Sequence, residues 1–215
     1  MFHFSSILGP KWPIVLLTLE ENWVMPSSPA FRRLAEMNQI QIMYLPANTS
    51  ITGHHSVSVF LTEPWFWEQF FTANRILVFQ AVSVLCANAP VEIEDFLEWD
   101  LVGAPISPTY GEGYNGGLSL RNPKLMLEIV RDPVNILGPN YFEDQWFFQR
   151  AKERGAHLPE PEEAMRFAVE TISYDKPLGY HQPGRWQQDH WKEINEWCPE
   201  VGLLCGIVSI KRIIV

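Results

Sequence analysis

A chain of 215 residues that is 47% hydrophobic and 13% aromatic carries enough apolar surface for one substantial core, which predicts a single compact domain over residues 1–215. Its net charge of −9 opposes nonspecific attraction to phosphate backbones, so no DNA partner is expected and any RNA contact needs a local basic patch. The longest nearly apolar stretch, VGLLCGIVSI, is about half of the roughly 20 residues a membrane span requires, which predicts no membrane partner.

The N-terminal MFHFSSILGPKWP lacks a basic segment followed by an apolar run and a cleavage site, so no secretory signal is read and a cytoplasmic location is expected. KWPIVLLTLE then reads as a strand buried on both faces, delivering Glu20, Glu21 and Asn22 at its carboxyl end. In SSPAFRRLAEM, Ser28 is placed to cap a helix, Pro29 suits its first position, and Phe31, Leu34 and Ala35 share a face. IQIMYLP (40–46) is a second strand. The aromatic segment 56–71 reads as helix, with Thr62 and Pro64 marking a fresh start inside it. NRILVFQAVSVLC is a third strand with its exit. This alternation predicts an α/β fold with a mainly parallel central sheet flanked by helices, and ligands at the carboxyl ends of its strands. LVGAPI (101–106) and GLSLR (117–121) are further strands, and helices follow over 123–130 and 142–154. Residues 200–215 read as a peripheral C-terminal tail.

Three cysteines, Cys86, Cys198 and Cys205, form no Cys-x-x-Cys pair and are odd in number, so reduced thiols are expected. GEGYNG (111–116) matches a dinucleotide glycine pattern but precedes a strand-like segment, not a helix, and no phosphate loop of the G-x-x-x-x-G-K-[ST] type occurs. The six histidines have no recognisable zinc spacing. No cofactor and no metal site are therefore expected.

Four segments carry chemistry. In YNGGLSLR, Gly116 and Gly117 allow close backbone approach to a ligand, or form an ordinary turn, and Asn115 offers donor and acceptor atoms. In YFEDQWFF, Glu143 and Asp144 sit among aromatics, where desolvation favours base or ligand duty; at a helix start they equally suit the macrodipole. FAVETISYDKPLGYHQ contributes Glu170 and His181, and the third-strand exit contributes Gln80 and Ser83.

Together LTLEENWVMPSSPAFRRL, PWFWEQF, ILVFQAVSVLCANAP, FLEWDLVGAPI, YNGGLSLRN, EDQWFF, FAVE and PLGYHQ resemble a fungal domain family of unknown function related to GT-A glycosyltransferases, over about residues 13–199. The resemblance implies one GT-A-like, Rossmann-like domain. Members of the glycosyltransferase type read Gln-x-Asp-Ser at the third-strand exit, where the acid helps a divalent cation bridge a sugar-nucleotide diphosphate; here that position is Val82. Within this group the chain is similar to the arginine-containing cyclodipeptide synthases, which implies arginyl-tRNA and a second aminoacyl-tRNA as substrates, acyl transfer, then cyclisation to a diketopiperazine. The alternatives are a metal-independent glycosyltransferase using a sugar nucleotide and a non-catalytic binding protein. In the first reading Glu143, Asp144 and Glu170 are candidates for base or arginine clamp, and His181, Gln80, Ser83, Asn115, Gly116, Gly117 and Glu21 for positioning substrate. A transfer RNA then needs basic residues such as Lys124, Arg131, Arg150, Lys152 and Arg154 to form a patch.

Because Val82 supplies no oxygen, titration with manganese or magnesium is expected to show no stoichiometric binding at this strand exit, and turnover is expected to survive a chelator. A cation ordered beside Ser83 contradicts that expectation.

Overall fold

The computed structural model describes residues 1–134, 137–138, 142–204 and 213–214. Helix α1 (Phe2–Leu8) leads into strand β1 (Ile14–Thr18), a 3-10 turn at Glu20–Asn22, α2 (Pro29–Glu36) and β2 (Ile40–Tyr44). Helices α3 (His54–Leu61) and α4 (Pro64–Gln69) follow, then β3 (Ile76–Gln80), β4 (Ser83–Leu85), β5 (Leu101–Pro105) and β6 (Tyr114–Arg121). The rest comprises α5 (Pro123–Arg131), α6 (Glu143–Glu153), α7 (Pro161–Phe167), β7 (Ala168–Val169), β8 (Gly179–His181), α8 (Pro183–Trp186), α9 (Trp191–Trp197) and β9 (Ile213–Ile214).

Local chemistry places several helix starts. Ser28 Oγ accepts from Phe31 N, and Asn122 Oδ1 accepts from Lys124 N and Leu125 N, which satisfies donors that an N-terminus otherwise leaves unpaired. Pro29, Pro64 and Pro123 each sit at a first helical position, where the missing N–H costs nothing. The break between α3 and α4 falls at Thr62 and Glu63 for the same reason.

The α/β class holds, but the mainly parallel sheet does not. One sheet has the order β2-β1-β9-β3-β6-β5, and within it β1 and β2 are parallel, joined through α2. β5 pairs antiparallel with β6, and β6 with β3. The physical reason lies in the connections. A parallel return needs a crossover of about a dozen residues or more, whereas residues 106–113 join β5 directly to β6. A second change comes from the C-terminus. β9 lies antiparallel to both β1 and β3, with Leu16 and Phe79 both opposite Ile214, so it separates two strands that would otherwise be neighbours.

The C-terminal stretch is accordingly not a peripheral tail. Its 3-10 segment Pro199–Leu204 buries Val201 completely, and β9 lies inside the sheet; residues 205–212 and 215 lie outside the described residues.

The third-strand exit also departs from the expected single run. The apolar segment divides at Ala81 and Val82: β3 stays in the large sheet, while β4 enters a second sheet of order β4-β8-β7 and pairs antiparallel with β8, Ser83 opposite His181. Gly116 and Gly117 do not form a turn; both lie inside β6. A large core surrounds Phe66, Trp67, Phe96, Leu118, Leu120 and Phe147, and a smaller one joins the second sheet to α9 through Val84, Tyr180, Ile194 and Val201.

That smaller core contains a disulfide between Cys86, just after β4, and Cys198, at the end of α9, with Cα atoms 4.9 Å apart. The expectation of reduced thiols fails for these two, because packing of α9 on the second sheet brings together residues 112 positions apart; Cys205 lies outside the described residues. Disulfides belong mainly to oxidising compartments, which weighs against the cytoplasmic expectation drawn from the N-terminal segment. Among the described residues no helix is long and apolar enough to cross a membrane.

Thiol titration in denaturant is expected to count one free cysteine before reduction and three after it. Reduction is expected to lower unfolding stability by about 5 kcal/mol, the scale for a crosslink closing a loop of ~100 residues. Three free thiols before reduction contradict the bridge.

Candidate functional site

The site is built on β6 and the two elements that close over it. Arg121, at the end of β6, is fully buried, with its guanidinium 5.9 Å from the ring centre of Trp67 and 5.6 Å from that of Phe147. An unpaired charge at that depth is untenable. Arg121 Nη1 donates to Glu143 Oε2 at 2.7 Å and Nη2 to Glu143 Oε1 at 3.1 Å, while Nε donates to Ser119 Oγ at 2.9 Å. The planar fork matches the carboxylate, and the pair fixes the start of α6 against β6. Glu143 therefore serves an internal arginine, which removes it from the free bases. Arg121 was visible in the sequence only as the last residue of an apolar strand; its burial opposite a carboxylate was not.

Asp144, the next residue, is half-buried and faces a cleft of about 1250 Å³. Its Oδ2 accepts from Gly116 N at 2.9 Å and its Oδ1 from its neighbour Gln145 N at 2.8 Å. Burial, followed by the charge of Glu143, pushes its carboxyl from 3.8 up to about 7, against the pull of those two N–H groups and Arg121. A carboxyl poised there holds or releases a proton near neutrality.

His181, which lines the same cleft, is buried at the end of β8, and its Nδ1 is 2.8 Å from Glu170 Oε1. Nε2 lies 3.2 Å from Gln80 Oε1 and 3.4 Å from Gln182 Nε2. The two amides suit two proton states: protonated Nε2 donates to Gln80, and unprotonated Nε2 accepts from Gln182. Glu170 orients the ring through Nδ1, an arrangement compatible with base duty at Nε2. Gln182 reaches the ring because it turns the chain between β8 and α8 with a left-handed φ of 48°.

Gly116 and Gly117 make these approaches possible. A Cβ on Gly117 would lie 2.2 Å from His181 Nε2, and one on Gly116 would lie 2.5 Å from Arg121 Nη2 and 2.6 Å from Glu143 Oε1. The glycines admit the protein's own side chains, an alternative to the ligand approach expected of them.

Of the sequence candidates, Gln80, Asn115, Gly116, Gly117, Glu143, Asp144, Glu170 and His181 all line this one cleft. Asn115 Oδ1 accepts from Gly117 N at 2.8 Å, bracing the strand. Two candidates fall elsewhere. Ser83 is buried and donates its hydroxyl to Gly117 O at 2.7 Å, tying the two sheets together, so it is not presented to substrate. Glu21 is exposed in the 3-10 turn after β1, beside a separate depression with Leu45 and Asn48. It misses the cleft because β9 and β3 stand between β1 and β6 in the large sheet. Val82 does line the cleft, and Ser83 Oγ is already committed, so the residues at this exit do not fit a diphosphate-bridging cation. Among the described residues no group of three His, Cys, Asp or Glu side chains is placed to hold a metal ion.

The expected basic patch is largely neutralised. Arg131 pairs with Glu68, Arg150 with Glu153, Lys152 with Glu112 and Arg154 with Asp132, while Lys124 lies over the ring of Phe71. Sequence reasoning also missed Tyr110, Gln182, Arg185 and Trp186, which form one rim of the cleft. The motif PLGYHQ ends on Gln182, the first residue of that rim after His181.

A sequence model for a family described as "Protein of unknown function (DUF5672)" matches residues 39–181. The match spans both carboxylate networks and ends at His181, before α8 and α9. No curated protein and no solved structure matches the chain.

The two neighbouring acids should behave oppositely on substitution. Glu143→Gln strands Arg121 and is expected to cost about 3 kcal/mol or more in unfolding free energy. Asp144→Asn has a pH signature instead. Between its ordinary value and about 7, the folded chain holds a proton on Asp144 that the unfolded chain has released, so this carboxyl costs stability increasingly as pH rises through that window. The unfolding free energy of Asp144→Asn, relative to the parent, is therefore expected to rise from about pH 4 to about pH 7 and to level off above it. A pH-independent difference contradicts the raised value.

Proposed function

The chain belongs to the DUF5672 family, and from that premise we propose that it is a transferase that condenses two aminoacyl groups, one of them arginyl, from aminoacyl-tRNA esters into a cyclodipeptide. The observation that carries this reading is the His181–Glu170 pair, which lines the same cleft as Asp144 and as Val82, a residue that offers a cation no ligand. Such a site suits proton transfer at an already activated carbonyl. The cleft also exceeds the roughly 300–1,000 Å³ of an ordinary small-molecule pocket, which supports two bound acyl groups.

In the proposed chemistry His181 Nε2 takes a proton from the attacking α-amino group of one aminoacyl ester. A C–N bond forms to the carbonyl carbon of the other, and that carbon's ester C–O bond breaks. The proton passes to the departing ribose oxygen. A second round, with the remaining ester as electrophile, closes the diketopiperazine ring and releases the second ribose hydroxyl. Neither nucleotide hydrolysis nor a redox partner is needed. Asp144 is assigned to the arginine side, because Glu143 is held by Arg121 and Glu170 Oε1 by His181. An incoming guanidinium favours its ionised form. Charged transfer RNA as donor would place the reaction in the cytoplasm, and a GT-A-like ancestry is the fold reading that goes with it.

A second reading rests on a separate observation. The ion pairs around Arg131, Arg150, Lys152 and Arg154 leave little free positive charge for a long phosphate backbone, which favours a small donor such as a sugar nucleotide. The same base would then activate an acceptor hydroxyl.

Mass spectrometry of a producing extract separates the two. Arginine-containing diketopiperazine is expected to stop forming after ribonuclease treatment and to resume when arginyl-tRNA and a second charged transfer RNA are supplied. Product from nucleotide sugars in the treated extract overturns the first reading in favour of the second. His181→Asn and Glu170→Gln are each expected to lower turnover by about 10²-fold or more with the fold retained, the scale of a positioned base.

A further inference from the structure

The rim that begins at Gln182 has features the acid–base centre does not use. Tyr110 and Trp186 meet edge to face, with ring centres 5.2 Å apart, and Tyr110 remains 56% exposed at the cleft wall. Trp186 belongs to α8, and among the described residues its buried Nε1 has no hydrogen-bond partner, so packing positions the ring. The exposed Arg185 guanidinium lies 4.5 Å from the centre of that ring. Its Nη1 donates to Gln182 Oε1 at 3.3 Å, and among the described residues no carboxylate pairs with it. It thus differs from Arg131, Arg150, Lys152 and Arg154, which are all paired with acids.

We infer that this rim is a nucleotide subsite, in which a nucleobase stacks on Trp186 and Tyr110 and the attached phosphate meets Arg185. The inference rests on the reading of the cleft as a transferase site with a nucleotide-borne donor, and it deepens that reading by assigning where the carrier is held. The occupant follows from the chemistry. Two aromatic faces in a concave wall favour a flat, neutral ring system. A fixed cation beside them disfavours an arginyl or lysyl side chain and attracts an anion. A nucleotide offers both features within one residue. The rim also connects to the reacting centre through a short relay: Arg185 bonds Gln182, and Gln182 Nε2 reaches His181 Nε2. The rim is thereby continuous with the reacting centre at His181.

The shared chemistry admits two sources, the 3′-terminal adenosine of a transfer RNA or the nucleotide of a nucleotide sugar. Calorimetric titration of the full chain with AMP, adenosine, a CCA trinucleotide, UDP and GDP distinguishes them. AMP is expected to bind more tightly than adenosine, by the contribution of Arg185. Trinucleotide binding tighter than UDP and GDP assigns the rim to a transfer RNA end; the reverse assigns it to a nucleotide sugar. Either supports the subsite. Trp186→Ala is expected to weaken binding about tenfold, within the range of base–aromatic stacking, and Trp186→Phe to retain most of it. Arg185→Gln is expected to weaken AMP and leave adenosine unchanged. If Trp186→Ala does not fold, Tyr110→Ala and Arg185→Gln, both at exposed positions, decide the matter. No binding of any of these probes at about 1 mM, or equal binding by all variants, overturns the inference. Binding is read without turnover, so its failure is distinct from failure of the cyclodipeptide chemistry, which the product assay judges.

Discussion

The buried ion pair between Arg121 and Glu143 is the constraint on which the site depends. A guanidinium with no solvent exposure is stable only when its charge is matched and its donors are occupied, and here two go to one carboxylate and one to Ser119. That requirement locks α6 onto the end of β6. Asp144 follows Glu143 by one residue, so the lock also sets its carboxyl at the cleft, beside Gly116 N. The charge that holds Arg121 is in turn one of the two causes that keep Asp144 protonated towards neutrality. Structural pairing and chemical poise are consequences of a single pair of adjacent acids, each with a different partner.

The second organising feature is the transfer of the chain from one sheet to the other between β3 and β4. Gln80 remains at the carboxyl end of β3 in the first sheet, while Ser83 enters the second and lies opposite His181. Ser83 Oγ then reaches back to Gly117 O and joins the sheets. Because Gly117 has no side chain, His181 settles over β6 with both ring nitrogens engaged. The disulfide from Cys86 to Cys198 holds α9 behind this second sheet. The Arg121 network and the His181 network thus approach the same cleft from different elements, with β6 between them.

Charge shapes what such a cleft can accept. The acidic balance of the chain is not offset by a basic face around Arg150 and Lys152, whose charges are spent on neighbouring carboxylates. Exposed pairs of this kind contribute little to stability, but they remove the positive field that would draw in a long phosphate backbone. Arg185 beside Trp186 differs from these cations, since among the described residues no carboxylate pairs with it.

Much of the cleft was legible from residue types alone. Gln80, Asn115, Gly116, Gly117, Glu143, Asp144, Glu170 and His181 come from segments far apart in the chain and share one wall system. The α/β class, the proline-initiated helices and the absence of an acid at Val82 were equally available without coordinates, because capping, periodicity and side-chain chemistry are local properties. What each residue does was not available. Only the fold placed Arg121 against Glu143, turned Ser83 to a backbone oxygen, left Glu21 on a separate surface and paired Cys86 with Cys198. The same holds for the sheet: short connections impose antiparallel pairing between β5 and β6, and β9 enters between β1 and β3 from the far end of the chain. Sequence determines which groups a chain can offer to a site, since that depends on composition and near neighbours. Partnership, burial and the perturbed acidity of Asp144 depend on distances between residues remote in sequence, and those exist only once the chain has packed.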